Sequence, residues 1–186
     1  MRYCLRFSWT GLPLIKVKNI APKFVNTVEE IISSNNINGD HFEFELAEND
    51  FVSKLADLSD DMLKLEKLGI YFSLDDFGTG STSLTQLQKL PIKTIKLDKS
   101  HVQKVTTEKD SANIVKAMID LAHGLKLKVV AEGVETEKQK TFLSENNCDQ
   151  MQGYLYSKPL EVNDLIKLLK QDGFGKRASH LTIVDK

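Results

Sequence analysis

The chain has 186 residues, of which 41% are hydrophobic and 27% are charged, and its formal net charge is -1. This length and composition fit one globular domain. A net charge this small gives no general attraction to a nucleic acid polymer or to an anionic membrane. No apolar run approaches the roughly 20 residues needed to cross a bilayer, so we expect a cytoplasmic protein without a membrane partner.

Strand-like and helical patterns alternate along the chain. Strands are predicted at residues 14–18, 42–46, 70–74, 92–97, 128–131 and 151–155, and each is followed by a helical pattern. Pro22 opens the first helix, whereas Gly69 and Gly124 end two later ones. Thr136 to Gln139 fits a capping box at the start of another helix. Regular alternation with short loops predicts parallel strands joined by right-handed crossovers.

Acidic residues follow several of these strands. The run from Tyr71 to Gly80 delivers Asp75 and Asp76 and then breaks into a glycine-rich turn. The sequence has no GxGxxG or GxxxxGK[ST] loop, which weakens the case for a nucleotide-binding open sheet. Acids at successive strand ends favour a TIM-like (β/α) barrel, because the carboxyl-terminal rim of a barrel gathers them around one axis.

The candidate site residues at this rim are nearly all oxygen donors. They comprise Asn19, Glu45, Asp75, Asp76, Lys96, Glu132, Glu135 and Gln152. Hard cations such as Mg²⁺ or Mn²⁺ suit oxygen ligands, and the set contains no histidine or thiolate that would favour zinc. Two such metals could hold a phosphodiester and activate water for in-line attack.

Five segments of the chain resemble, in order and spacing, the signatures of EAL-domain cyclic di-GMP phosphodiesterases. They read ELAE from Glu45, DDFGTG from Asp75, KLDKS from Lys96, AEGVET from Ala131 and QGY from Gln152. The resemblance covers roughly Gly11 to Leu169. It implies an EAL-type barrel, cyclic di-GMP as the ligand and metal-dependent hydrolysis to linear pGpG.

The resemblance also implies a role for each matched residue. Asn19, Glu45, Asp75 and Glu132 match metal ligands of the family, and Asp76 matches a ligand of the second metal. Lys96 would orient or deprotonate the attacking water. Gln152 would help to position that water, and Glu135 matches a supporting acid on the same rim.

The beginning of the sequence departs from the family pattern. No Glu-Ala-Leu triplet occurs in it, so the strand that carries this metal-binding glutamate is missing, and Met1 to Trp9 resembles the helix that follows the triplet. We therefore expect a barrel that is incomplete at its N-terminus, with residues 1–172 as a truncated EAL domain and 173–186 as a tail. An open barrel edge invites pairing. A second copy or another partner chain, Met1 to Trp9, or Leu181 to Val184 could cover it.

Structural interpretations of single residues remain open beside the functional ones. Glu48 and Asp98 suit helix starts, where acids are favoured by capping and by the helix dipole. Lys96 taken alone suits a solvated edge charge, and Gln152 with Gly153 suits a turn. At the level of the protein, the alternative to a phosphodiesterase is a catalytically inactive EAL module that binds cyclic di-GMP or a protein partner.

Overall fold

The structure is a computed structural model that describes residues 5–7, 13–16, 20, 22–80, 82–156, 158 and 164. Within these ranges the strands are β1 (Leu5–Phe7), β2 (Pro13–Lys16), β3 (Glu43–Ala47), β4 (Tyr71–Phe77), β5 (Ile92–Leu97), β6 (Lys128–Glu132) and β7 (Gln150–Gln152). The helices are α1 (Pro22–Asn35), α2 (Glu48–Lys67), α3 (Leu84–Gln88), α4 (Lys99–Val102), α5 (Lys109–Gly124) and α6 (Glu137–Glu145). A short 3-10 helix (Gly39–His41) precedes β3.

The described strands form one sheet whose spatial order is the order along the chain, from β1 to β7. All neighbours from β2 to β7 are parallel. Each of the crossovers from β3 to β7 contains at least one helix. This confirms the predicted α/β architecture with parallel strands, and the predicted strand at 151–155 is replaced by the shorter β7, which ends at Gln152.

One edge of β2 is paired with β1. This strand runs antiparallel to β2, with Leu5 opposite Ile15 and Phe7 opposite Pro13. The helix expected across Met1 to Trp9 is therefore wrong for residues 5–7, because those residues use their backbone groups to extend the sheet. Of the three predicted ways to cover this edge, the second is the one observed. Asn19, Leu181 to Val184 and the predicted tail 173–186 lie outside the described residues.

Alternation along the strands separates an apolar face of the sheet from a polar one. Phe44, Phe72 and Ile95 are buried on the helical side, where Phe24 of α1 packs 5.7 Å from Phe44 between ring centroids. The intervening residues, such as Lys96, point to the opposite face. The apolar layer forms the core, so the polar face is free to build a site. Among the described residues, no helix is both long enough and apolar enough to span a membrane.

Candidate active site

The centre of the candidate site is the ammonium group of Lys96 on β5. Its Nζ atom lies 2.6 Å from Glu132 Oε1 on β6 and 3.4 Å from Asp75 Oδ1 on β4. It also donates a hydrogen bond to Glu45 Oε1 on β3. Side chains from four neighbouring strands thus meet on the polar face of the sheet, as expected when carboxyl-terminal strand ends share one edge.

This cluster is buried. The side chains of Lys96, Glu45 and Asp75 are 3%, 2% and 4% exposed, and that of Glu132 is 17% exposed. The interpretation of Lys96 as a solvated edge charge is therefore wrong. Burial by itself lowers the pKa of Lys96, but the charges of Glu132, Glu45 and Asp75 outweigh it and raise that pKa well above its usual value. A protonated Lys96 can donate hydrogen bonds to water or to a phosphate oxygen, which suits orientation of the water better than its deprotonation.

A further acid, Glu43, extends the negative region along β3. It precedes Glu45 by two residues and therefore shares its face of the strand. Burial raises the pKa of Glu43, and the nearby charge of Glu45 raises it further, while the charge of Lys96 opposes the shift. More acid is therefore gathered on this face than Lys96 alone neutralises.

The adjacent acids Asp75 and Asp76 lie at a bulge in β4. Leu74 pairs with Ile95 and Phe77 pairs with Leu97, so β4 fits one extra residue into this interval. Asp76 takes a left-handed backbone conformation, with φ of 58°. Bulges of this kind re-aim side chains and are common beside active sites. Here the bulge leaves Asp75 buried in the cluster and Asp76 half-buried at the next position.

Gln152 and Glu135 are located near Glu132 without a described contact to Lys96. Gln152 is exposed on β7 and is the register partner of Glu132. Glu135 is also exposed, and its Oε1 accepts a hydrogen bond of 3.3 Å from Gln103 Nε2. Both residues flank the end of β6, so they lie beside the buried cluster and outside its centre.

Glu48 is a functional candidate that sequence reasoning treated only as a helix-start acid. It is the first residue of α2 and is 2% exposed. Its carboxylate accepts backbone hydrogen bonds from Gly78 and Gly80 at 2.9 Å and from Thr82 at 3.0 Å. The glycine-rich turn supplied the signal that could have revealed this role, because its backbone N–H groups need acceptors.

The residues present fit a divalent metal by their chemistry. Among the residues that the structure describes, no group of three or more Asp, Glu, His and Cys side chains is arranged to hold a metal ion. Glu45, Asp75 and Glu132 instead meet at Lys96, where three carboxylates face one ammonium and leave two negative charges unneutralised. Oxygen donors with excess negative charge suit Mg²⁺ or Mn²⁺. Asn19, the predicted amide ligand, lies outside the described residues.

Comparison with known proteins assigns the family. The family model described as EAL domain matches residues 16–159. The chain belongs to the EAL domain family and contains part of that domain. EAL domains are TIM-like barrels and are metal-dependent.

Several proteins of known sequence or structure are similar to this chain. The cyclic di-GMP phosphodiesterase NbdA of Pseudomonas aeruginosa is 40% identical over 128 residues, which are 69% of this chain and 16% of NbdA. The structure of the phosphodiesterase MucR in complex with c-di-GMP is 30% identical, with a TM-score of 0.77 over 82% of this chain and 63% of that one. The EAL domain of Mycobacterium smegmatis DcpA is 32% identical, with a TM-score of 0.78 over 85% of this chain and 72% of that domain. The chain thus spans about a sixth of NbdA, a curated relative that it matches.

Proposed function

We propose that this chain binds cyclic di-GMP and hydrolyses it to linear pGpG, with Mg²⁺ or Mn²⁺ as cofactor. The observation that carries the proposal is the buried convergence of Glu45, Asp75 and Glu132 on Lys96 within an EAL domain. The substrate is proposed from relatives: NbdA is named a cyclic di-GMP phosphodiesterase, and the MucR structure is a c-di-GMP complex.

The reaction replaces one phosphodiester bond of the ring. The oxygen of a water bonds to phosphorus, the bond from phosphorus to one ribose oxygen breaks, and that ribose oxygen takes up a proton. Glu45, Asp75 and Glu132, with Asp76 and Asn19, would hold the metal. When bound, a divalent metal supplies charge neutralisation for the phosphate and activation for the water.

The protein side chains orient the reactants. Lys96 is held by Glu45 and Glu132, and because its ammonium has three hydrogens, one remains to donate toward the phosphate or the water. Gln152, the register partner of Glu132, positions the water from β7. Glu135 acts as a supporting acid and is itself held by Gln103. Proximity and orientation of this kind account for a large share of the rate in such reactions.

The test is chromatographic detection of pGpG after incubation of the purified chain with cyclic di-GMP and either metal. Glu45→Gln is the informative variant, because it keeps the size of a buried side chain and removes its charge. Asp60→Asn, an exposed change on α2, is the matched control. Product from the wild-type chain and from the control, but not from Glu45→Gln, is the expected result. Equal product from all three proteins would contradict the proposal.

A second candidate function is that of a catalytically inactive module that binds cyclic di-GMP or a protein partner. The observation that favours it is that Glu45, Asp75 and Glu132 already share the ammonium of Lys96 as a countercharge. Calorimetric titration with cyclic di-GMP separates the two candidates. Binding of the dinucleotide without pGpG formation at high protein concentration would favour the module.

Assembly and location complete the proposal. A homodimer, or a partner chain on a sheet edge, stays a prediction even though β1 covers the edge of β2. Light scattering tests it, and a monomer at all concentrations would contradict the dimer. The cytoplasm as location, and the division into residues 1–172 and 173–186, likewise stay predictions.

A further inference from the structure

We propose that Lys96 sets the metal affinity of this site by competing, as a built-in cation, with a divalent metal for Glu45, Asp75 and Glu132. The inference rests on the proposed function and deepens it. It gives Lys96 a role in metal occupancy in addition to its orientation of water or phosphate.

The positions of the three carboxylates around Lys96 support this proposal. Nζ of Lys96 has one carboxylate oxygen from each of three side chains within salt-bridge distance, and it donates a hydrogen bond to that of Glu45. β3 and β4 lie on one side of β5 and β6 lies on the other, so the carboxylates reach Nζ from both neighbouring sides of the sheet. A metal that is ligated by the same three residues must share these oxygens with Lys96 or displace the ammonium from them.

The burial of Lys96 and its acidic partners also supports the proposal. Lys96 is 3% exposed and the two nearest acids, Glu45 and Glu132, are 2% and 17% exposed. Charges in such surroundings are screened far less than charges at the surface, so an ammonium close to a divalent ion repels it strongly. Lys96 therefore stabilises the cluster when no metal is bound and lowers the affinity when one arrives.

Substitution of Lys96 distinguishes a purely structural role of this lysine from competition with the metal. A purely structural lysine holds the carboxylates in place, and its loss would weaken metal binding. A competing lysine has the opposite signature: its loss leaves the three acids without a countercharge, so metal binds more tightly and the protein gains more stability from the metal.

The first experiment is calorimetric titration of the whole chain with Mn²⁺. Lys96→Met is the informative variant, because methionine approximates the length of the side chain and carries no charge. Lys93→Met is the matched control, since Lys93 is exposed on the same strand. The expected result is that Lys96→Met binds Mn²⁺ at least about tenfold more tightly than the wild-type chain, whereas Lys93→Met binds it equally. Binding by Lys96→Met that is equal, weaker or undetectable would overturn the proposal.

A second measurement on the wild-type chain covers the case in which Lys96→Met fails to fold. The nitrogen-15 signal of the Lys96 ammonium is identified through its own side-chain carbons and followed during titration with Mg²⁺. We expect the signal to shift or disappear over the same Mg²⁺ range in which calorimetry detects binding. An unchanged Lys96 signal while Mg²⁺ binds would overturn the proposal.

The pGpG assay keeps this inference distinct from the proposed function. If the wild-type chain forms pGpG but Lys96→Met binds Mn²⁺ no more tightly, the inference is wrong and the proposed activity stands. If the wild-type chain forms no pGpG but Lys96→Met binds Mn²⁺ more tightly, the activity is wrong and the competition stands.

Discussion

The carboxylate of Glu48 accepts the backbone N–H of Gly80 at 2.9 Å, although 32 positions of sequence separate the two residues. The same oxygen accepts the N–H of Gly78, and the second oxygen accepts that of Thr82. A Cβ atom added to Gly80 would lie 2.8 Å from Glu48 Cδ, so a side chain there would force the Glu48 carboxylate to shift. The first residue of α2 thereby anchors the loop that leaves the bulge at Asp76.

We expect Glu48→Gln to loosen this loop. Glutamine has one accepting oxygen where glutamate has two, so its amide nitrogen must face either the N–H of Thr82 or those of Gly78 and Gly80. Leaving such donors unsatisfied costs about 1–3 kcal/mol of unfolding free energy, which urea denaturation measures. Amide hydrogen exchange should accelerate at Thr82 or at both glycines, according to which side the amide nitrogen faces. Asp60→Asn, on the exposed face of the same helix, is the control, and equal exchange rates in both variants would contradict the assigned role.

The contrast between Glu48 and the capping box of α6 shows which features a sequence reveals. Thr136 and Gln139 are three residues apart, and that spacing alone predicts the reciprocal hydrogen bonds that the structure contains. The helix-start interpretation of Asp98 is confirmed for the same reason, since its side chain accepts the N–H of Ser100 two residues later. Such contacts close within one turn of helix, so a local pattern specifies them.

Contacts between distant segments escape this reasoning. The burial of Lys96 depends on acids from three other strands. The residues next to Lys96 in the sequence are apolar, and they do not indicate that these acids will lie beside it. The pairing of Leu5 with Ile15 is only one of three predicted ways to cover the edge, because residues 1–10 have no clear periodicity and the choice between helix and strand is made by the available edge of β2. Predicting the barrel was possible because the alternation of strands and helices extends along the chain.

Gln139 gives a second prediction, about the loop that carries Glu135. Its Oε1 atom accepts the backbone N–H groups of Glu135 at 2.8 Å and of Thr136 at 2.9 Å, and the side chain is 4% exposed. Gln139→Ala should therefore lower the unfolding free energy by about 1–2 kcal/mol and speed exchange of both amides. Lys138→Ala, at an exposed neighbouring position of the same helix, should do neither. Unchanged protection of the Glu135 amide in Gln139→Ala would show that other groups hold the loop.

Gly153 gives a third prediction, because it lies against the backbone of Val134. A Cβ atom added to Gly153 would meet the oxygen, nitrogen and carbonyl carbon of Val134 at 2.1, 2.3 and 2.7 Å. Hydrogen bonds from Val134 to Gln152 and from Leu155 to Val134 hold the two segments together on either side of this contact. Backbone atoms cannot rotate away as a side chain can, so we expect Gly153→Ala to destabilise the fold by more than the roughly 1–3 kcal/mol that is usual for overpacking.

Gly124 is the matched control for this substitution. It is the last residue of α5, and an added Cβ atom would have no neighbour within 4 Å. Gly124→Ala should therefore leave the free energy of unfolding unchanged or raise it by up to about 1 kcal/mol, because alanine restricts the unfolded chain more than glycine does. Urea denaturation of both variants measures the difference. If Gly153→Ala is as stable as Gly124→Ala, the contact between Gly153 and Val134 is looser than described.

Asp98 gives the last prediction, which concerns acid stability. Burial by itself raises the pKa of Asp98, but hydrogen bonds from Ser100 and the charge of His101 outweigh it, so that pKa lies below its usual value of 3.8. A carboxyl group whose pKa is lower in the folded protein stabilises the fold above its unfolded pKa, and this contribution is lost as the pH falls through the folded value. Asn also caps helices well but does not titrate. The stability advantage of the wild-type chain over Asp98→Asn should therefore be constant near neutral pH and shrink below pH 3.8, and an advantage that grows on acidification would contradict the lowered pKa.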